Sequence, residues 1–426
     1  MNINPISSLR GIINIPSDKS ISHRSVMFGS LALGTTTIYN FLMGDDCLST
    51  IQCFRALGIP ISIDGTTVVV HGKGMHGLSA PNDLLDCGNS GTTVRLLSGI
   101  LAAQNFDVAL TGDASIQKRP MKRVIEPLRQ MGADLNAAKD NFCPIHIKPS
   151  KLTGITYHSP VASAQVKSCL LLAGLYGSSP TTVVEPSVSR DHTERMLGAF
   201  GATLTRQDTA VTVVPCEELY ATDITVPGDI SSAAFFMVAG LITPDSDITI
   251  KNVGINPTRK GILDVLLQMG GDITVFNEKI VCGEPVCDLR VRSSKLHGTT
   301  IGGSIIPTLI DEIPILAVAA CLAEGKTVIQ DAAELKVKES NRIAALHSEL
   351  SKMGADITPT EDGLIVNGIK ALHGAELNSF DDHRIAMSLA IAACNASSSS
   401  AIYNADCVKI SFPNFYELLH EITTRE

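Results

Sequence analysis

Cations recur in this chain beside residues of the kind that open helices. Lys19 stands in Ser17-Asp18-Lys19-Ser20 with Arg24 one turn on, and Arg95 follows Asn89-Ser90-Gly91-Thr92. Lys167 follows Ser163-Ala164-Gln165, and Arg384 closes Asp382-His383-Arg384. Ser, Asp and Asn are ordinary N-caps, and capping accounts for Asp229 and Ser231. It does not account for the cations, because a helix start already carries unpaired N–H groups and a partial positive charge. An anion shared at such a start relieves the repulsion, and phosphate and carboxylate are its natural occupants. Three charged loops add to the pattern: Gln117-Lys118-Arg119-Pro120-Met121, Ser189-Arg190-Asp191-His192-Thr193-Glu194-Arg195, and Lys336-Val337-Lys338-Glu339-Ser340-Asn341-Arg342. Pro120 is the expected first residue of a helix. Lys338 and Arg342 share a helix face if that helix opens at or before Glu339. Arginine forks match phosphate and carboxylate, and lysine supplies a compact charge. Any one of these residues is an ordinary surface charge; together they predict a site for a small, multiply charged anion.

The elements that must position them form a repeat. A bulky residue plus Gly ends a helical stretch at Leu57-Gly58, Met131-Gly132, Phe200-Gly201, Met269-Gly270 and Met353-Gly354, with glycines 74, 69, 69 and 84 residues apart. Gly there fits a left-handed C-terminal cap, and the near-constant spacing points to duplication. A polar cluster also opens a strongly apolar helix six times, near Asp18, Asn89, Ser163, Asp229, Asp311 and Asp382. A short strand follows each: Thr35–Tyr39, Asp107–Leu110, Thr181–Glu185, Asp247–Lys251, Thr327–Gln330 and Ala401–Asn404. Helices apolar nearly all round belong inside a domain. The sixth copy is expected to stop after its second helix, near Ile422, without a closing strand. An unclaimed strand, Gly11–Ile15, precedes the first apolar helix. If it joins the last copy's domain, three copies fall in each half: residues 18–227, and 228–426 with 1–17. The site is then expected in the cleft between the halves.

Bulk properties narrow the function class. The chain has 426 residues, is 44% hydrophobic and 18% charged, and lacks tryptophan, which describes a globular protein with aliphatic cores. A net charge of −9 argues against a nucleic-acid partner but not against a local basic cluster. Eleven cysteines without a CxxC pair, mostly in apolar surroundings, read as reduced buried thiols. With no CxxC or HxxxH cluster, no metal and no cofactor are expected. The N-terminus lacks signal-peptide character, and the longest apolar runs, such as Ile313–Ala323, are too short for a bilayer, so a cytoplasmic protein without a membrane partner is expected. A monomer is expected.

The ordered strings Ser17–Arg24, Gly88–Arg95, Gly112–Met121, Ser163–Ser168, Ser189–Glu194, Asp311-Glu312, Val337–Arg342 and Asp382–Arg384 resemble the enolpyruvyl transferases across essentially the whole chain. They are most similar to the branch that uses 3-phosphoshikimate. Ser17-Asp18, Ser163-Ala164-Gln165 and Arg190-Asp191-His192 look like its class II members. The resemblance implies an α/β, two-domain, inverse α/β barrel-like fold. It implies transfer of the enolpyruvyl group of phosphoenolpyruvate to the 5-hydroxyl of 3-phosphoshikimate, in the pathway to chorismate and the aromatic amino acids. By the same resemblance, Lys19, Ser20, Arg24, Ser163, Ala164, Gln165, Arg190, Asp311 and Lys338 would hold 3-phosphoshikimate. Lys19, Gly91, Arg119, Gln165, Arg342 and Arg384 would hold phosphoenolpyruvate. Asp311 would act as base on the attacking hydroxyl, and Glu339 would protonate the methylene carbon, with Lys19 and His383 as further candidates for that proton. The residue types suit the chemistry: one carboxylate must be ionised and a second acid must carry a proton. Gly91 implies room for the inhibitor glyphosate, where an alanine in some class II members crowds it. In place of a lysine that some members carry two residues before Phe412-Pro413, this chain has Ile410, and the adjacent Lys409 is left out of the site.

Two other readings fit less well. The sister transferases acting on UDP-N-acetylglucosamine use a loop cysteine flanked by glycines, and the corresponding Asp113–Met121 loop has no cysteine. A non-catalytic anion binder on the same scaffold would keep the arginines and have no need of Asp311 and Glu339.

Overall fold

All six apolar helices form where the polar clusters predict them, in a computed structural model that describes residues 1–281 and 283–424. They span Lys19–Leu31, Gly91–Leu101, Ala164–Gly174, Ile230–Ile242, Ile313–Cys321 and His383–Cys394. Five are capped by the side chain just before them. Asp18 accepts from Ile21 N–H at 2.8 Å, Ser90 from Thr93 at 3.1 Å and Ser163 from Val166 at 3.4 Å. Asp229 accepts from Ser231 at 2.9 Å and Asp382 from Arg384 at 3.0 Å. The fifth helix relies instead on Pro314 in its first turn, where a missing N–H costs nothing. Ile230–Leu241 and Ile313–Cys321 are buried without interruption, as their uniformly apolar composition requires.

Each helix runs into a strand: Ala32–Tyr39, Val108–Thr111, Thr181–Val184, Asp247–Gly254, Lys326–Ile329 and Ser400–Tyr403. The first five pair antiparallel with a later strand of the same segment, and that strand pairs with a further one, so the order within each sheet recurs. In four sheets the opposite neighbour is a short parallel strand from before the helix: Leu85–Asp86, Thr156–His158, Thr300–Ile301 or Glu376–Asn378. The other two sheets take that parallel strand from elsewhere in the chain. Ser8–Asn14 pairs with Asp247–Gly254, and Leu219–Tyr220 and Ile224–Thr225 pair with Ala32–Tyr39. The chain accordingly divides into two compact units, one of Ser17–Val226 with Val281 and Gly283, the other of Met1–Pro16, Pro227–Ile280 and the chain from Glu284 onward. Each has its own aliphatic core.

The five glycines at helix ends all adopt positive φ, between 84° and 95°. In each, the N–H of the next residue reaches back to the carbonyl five before it: Ile59 to Phe54, Ala133 to Leu128, Ala202 to Leu197, Gly271 to Leu266 and Ala355 to Leu350. This is the Schellman arrangement, and it requires the left-handed residue.

Four local expectations are corrected. The helix after Arg119 starts at Lys122, not Pro120, because the Asn141 side chain accepts from the N–H groups of Met121 and Lys122 at 3.1 and 2.7 Å. Lys338 and Arg342 do not share a helix. Lys338 ends the 3-10 turn Ala333–Val337, and the next helix, Arg342–Lys352, opens at its Asn341 cap. The last segment does have a closing strand: Thr423–Thr424 pairs with Ser8-Leu9 after the helix Phe415–Glu421. The N-terminal strand itself runs Ser8–Asn14 rather than Gly11–Ile15. Ten cysteines are free thiols, and Cys282 lies outside the described residues.

Candidate active site

In the unit Ser17–Val226, the first-turn residues converge through their side chains. Gly91, the first residue of its helix, leaves space that a Cβ would fill: that atom would lie 2.8 Å from Arg95 Nη1 and 3.4 Å from Arg119 Nη1. Arg95 Nη1 donates to Gln165 Oε1 at 2.6 Å, and Gln165 Nε2 donates to Thr92 Oγ1 at 3.1 Å. Arg119 Nη2 donates to Asn89 Oδ1 at 2.9 Å and Ser115 Oγ at 3.2 Å. Gly91, Arg119 and Gln165 therefore belong to one neighbourhood, with Arg95 as the link.

A second neighbourhood surrounds Arg24. Its guanidinium is buried and donates to Thr193 Oγ1 at 2.7 Å, Ser168 Oγ at 2.9 Å and the carbonyl of Ser20 at 3.0 Å. These contacts tie the helix of Lys19 and Ser20 to the helix opened by Ser163 and Ala164, and to the segment after Arg190. Lys19 forms an ion pair with Asp46. His23, between Lys19 and Arg24, is fully buried; burial pulls its pKa down to about 3, with Asp46 acting in the opposite sense and the two cations adding to the fall.

The other unit gathers Asp311, Lys338, Glu339, Arg342 and Arg384. Arg342 is 1% exposed and meets three carboxylates: Asp382 through Nε at 2.9 Å and Nη2 at 3.2 Å, Glu339 at 2.8 Å and Asp311 at 3.5 Å. Burial opposes its charge, but Asp382 and Glu339 outweigh that and raise its pKa further. Burial likewise opposes ionisation of Asp382, yet Arg342 and His383 beside it hold its carboxyl below the usual carboxylate range. Lys338 Nζ lies 3.4 Å from Asp311. Arg384 Nη1 donates to the Asp311 carbonyl at 3.1 Å and to Glu312 Oε1 at 3.4 Å. Buried Glu312 also accepts from Ser231 Oγ, which accepts from Arg259 Nη2 at 2.7 Å. Arg259 reaches Asp229 at 3.0 Å as well. His383 is buried in the first turn of its helix.

Two points revise the reading of the helix starts. Three of their cations have a carboxylate within the protein: Lys19 has Asp46, Arg384 has Glu312, and Lys167 lies 3.0 Å from Glu185 and 2.8 Å from Glu194. Asp229 and Ser231 do more than cap, since both hold Arg259. Sequence reasoning missed the parts of Asp382, Glu312, Arg259 and Glu185. Asp382 could have been suspected from its cap position, whereas the other three depend on neighbours 81, 30 and 22 residues away. Lys409 is mostly exposed and pairs with Asp406.

A family model for EPSP synthase (3-phosphoshikimate 1-carboxyvinyltransferase) matches residues 3–419. The chain belongs to the EPSP synthase family. A 3-phosphoshikimate 1-carboxyvinyltransferase of Desulforudis audaxviator is 55% identical over 424 residues, with 99% of each chain covered. The enzyme of the same description from Brevibacillus brevis is 54% identical, covering 99% of this chain and 100% of its own. The solved EPSP synthase from Acinetobacter baumannii superposes with a TM-score of 0.90 at 47% identity, over 100% of this chain and 98% of that one. The enolpyruvyl transferase NikO from Streptomyces tendae, at 19% identity, superposes with a TM-score of 0.82 over 99% of this chain and 96% of its own, and so shares the fold. The fold is thus an α/β fold of repeated strand–helix units. As a member of this family, the chain is an enzyme that transfers the enolpyruvyl group of phosphoenolpyruvate to 3-phosphoshikimate, a step of the shikimate pathway leading to aromatic amino acids. Among the described residues, no group of three or more His, Cys, Asp or Glu is arranged to hold a metal ion, and no single helix is long and apolar enough to cross a membrane.

Proposed function

We propose that Lys19, Ser20, Arg24, Ser163, Ala164, Gln165 and Arg190, with Asp311 and Lys338, hold 3-phosphoshikimate. Phosphoenolpyruvate then lies on Lys19, Gly91, Arg119 and Gln165, with Arg342 and Arg384. The observation that carries this reading is the unequal hold of Arg342 on its carboxylates. Asp382 is fully buried and takes two of its nitrogens, whereas Glu339 and Asp311 are partly exposed and sit on its outer side. An anion arriving at Arg342 displaces the exposed partners, not Asp382. Glu339 and Asp311 are thereby released beside the substrate, and two carboxylates in different surroundings can divide proton transfer.

In this mechanism Asp311 takes the proton of the attacking hydroxyl as its oxygen bonds to C2 of phosphoenolpyruvate. Glu339 delivers a proton to the methylene carbon. Loss of phosphate and of one methyl proton restores the double bond. Lys19 and His383 are the other candidates for the proton at carbon. The arginines and lysines offset the repulsion between the two anions and orient them. On the same reading, the fold is an inverse α/β barrel-like arrangement of six strand–helix repeats, three to a unit. The protein works as a cytoplasmic monomer with no nucleic-acid partner.

The test measures phosphate release from phosphoenolpyruvate with and without 3-phosphoshikimate, and 3-phosphoshikimate binding separately, for Asp311→Ala and Glu339→Ala. Turnover falling by roughly 10²–10⁴ in each variant is expected, because each removes a positioned proton-transfer group. Binding of 3-phosphoshikimate should weaken only in the Asp311 variant. Unchanged turnover in either variant overturns that residue's role.

A further inference from the structure

Lys167 is a cation at a helix start that the reaction as described does not use. It is 1% exposed, and its Nζ donates to the carbonyl of Ser189 at 3.2 Å while lying 3.0 Å from Glu185 and 2.8 Å from Glu194. Glu185, also buried, directly follows the strand Thr181–Val184 and has both oxygens engaged. Oε1 accepts from the backbone N–H of Ser163 at 2.8 Å. Oε2 accepts from Ser189 N–H at 3.3 Å and Ser189 Oγ at 2.8 Å.

The sequence explains why a remote residue is needed. In a capping box, a helix opened by Ser has Glu or Gln at the third helical position to take the cap residue's own N–H. After Ser163 that position holds Val166, which cannot. Glu185 supplies the missing acceptor from 22 residues away. With the same carboxylate it secures Ser189, the neighbour of Arg190. One buried group thus fixes two segments expected to contact 3-phosphoshikimate. A lone carboxylate there would repel an arriving anion, since it lies beside a helix N-terminus meant to attract one. Lys167 offsets that charge from within, although it shares its ammonium with Glu194.

Resting on the proposed 3-phosphoshikimate contacts of Ser163 and Arg190, we infer that Glu185 and Lys167 are positioning residues for that substrate. Glu185 fixes the backbone at Ser163 and Ser189, and Lys167 offsets its negative charge toward the substrate. Neither is among the residues proposed for phosphoenolpyruvate, and of those only Gln165 lies on the braced helix, so the larger effect falls on 3-phosphoshikimate.

The experiment uses the full chain. Dissociation constants for 3-phosphoshikimate are measured by titration calorimetry, and KM for phosphoenolpyruvate at saturating 3-phosphoshikimate, in Glu185→Gln, Lys167→Met, the double variant and Arg190→Ala. Glu185→Gln loses one acceptor at a charged site and should weaken 3-phosphoshikimate about tenfold. KM for phosphoenolpyruvate should rise by clearly less, because, of its proposed contacts, only Gln165 lies on the helix that Glu185 braces. Lys167→Met leaves Glu185 and Glu194 without their shared cation and should weaken 3-phosphoshikimate more than Glu185→Gln does. The double variant removes two of the three charges and leaves only Glu194, which is 12% exposed, so it should fold even if Lys167→Met does not and should bind better than Lys167→Met. A merely structural pair would lower the active fraction or the melting temperature and leave both constants unchanged, which overturns the inference. So does an equal rise in both constants, or a double variant no better than Lys167→Met where both fold. If Arg190→Ala binds 3-phosphoshikimate normally, the underlying contact assignment fails and the inference with it. If Arg190→Ala is impaired while Glu185→Gln and the double variant bind normally, only the inference fails.

Discussion

Arg342 grips Asp382 through two different nitrogens, Nε at 2.9 Å and Nη2 at 3.2 Å, and neither side chain is more than 1% exposed. Asp382 also accepts from Arg384 N–H at the start of its helix and from Ser340 Oγ. One carboxylate therefore orders two of the three arginines proposed for phosphoenolpyruvate, Arg342 through its side chain and Arg384 through its backbone. Asp382→Asn keeps the shape and removes the charge, leaving Arg342 without its buried counter-ion. Breaking a buried pair costs roughly 3–5 kcal/mol, and urea unfolding at pH 7 should show a loss of that order, reduced by whatever Glu339 and Asp311 recover. The sign with pH follows from the depressed carboxyl pKa of Asp382. Its contribution is complete above the unfolded value, about 3.9, and is lost as pH falls through the lower folded value. The gap between wild type and variant should hence narrow below about pH 4. A gap independent of pH there would contradict the assignment.

Gly91→Ala tests the crowding around that helix start. The added Cβ would sit 2.8 Å from Arg95 Nη1, a flexible terminus that can shift, so the fold should survive. The shift strains the 2.6 Å bond from Arg95 to Gln165. KM for phosphoenolpyruvate should rise several-fold, and the inhibition constant for glyphosate should rise more. Steady-state inhibition curves for the two proteins decide this, and equal glyphosate sensitivity would remove Gly91 from the site.

His23 should make stability fall on mild acidification. Its folded pKa is pulled down to about 3, chiefly by burial, against about 6.5 in an unfolded chain. Between those values the unfolded chain binds a proton that the folded one refuses, so stability declines as pH drops, by at most about 1.4 kcal/mol per pH unit. His23→Asn should flatten that slope between pH 7 and pH 5 in urea denaturation. Parallel slopes would assign the pH dependence to other groups.

Glu312 is fully buried between Ser231 and Arg384. Glu312→Gln preserves its volume and removes the charge that restrains Arg384. On the proposed role of Arg384, KM for phosphoenolpyruvate should rise about tenfold, the loss expected for one charge-assisted contact. The dissociation constant of 3-phosphoshikimate should change little. Initial-rate measurements and calorimetry separate the two, and a rise in the 3-phosphoshikimate constant alone would place Glu312 elsewhere in the mechanism.

Local physics in the chain itself determines the elements. Asp18, Ser90, Ser163, Asp229 and Asp382 cap the helices that follow them, because cap and N–H lie within three residues of each other. The five glycines from Gly58 to Gly354 end helices because only a residue at ease with positive φ completes that turn. The family was also legible, since its ordered strings lie on these caps and loops. What the tertiary structure alone decided is where charge is balanced. Asp46 opposite Lys19, Glu185 beneath Ser163, Glu312 beside Arg384 and Asn141 capping Lys122 are all distant in sequence. A side chain that closes such a contact carries no local signature, because its partner comes from a strand end or loop that packing brings near. For the same reason Lys338 and Arg342, expected to share a helix, instead meet at Asp311 from different elements. Helix periodicity governs side chains on one continuous backbone, and the break at Ser340-Asn341 hands their placement to packing.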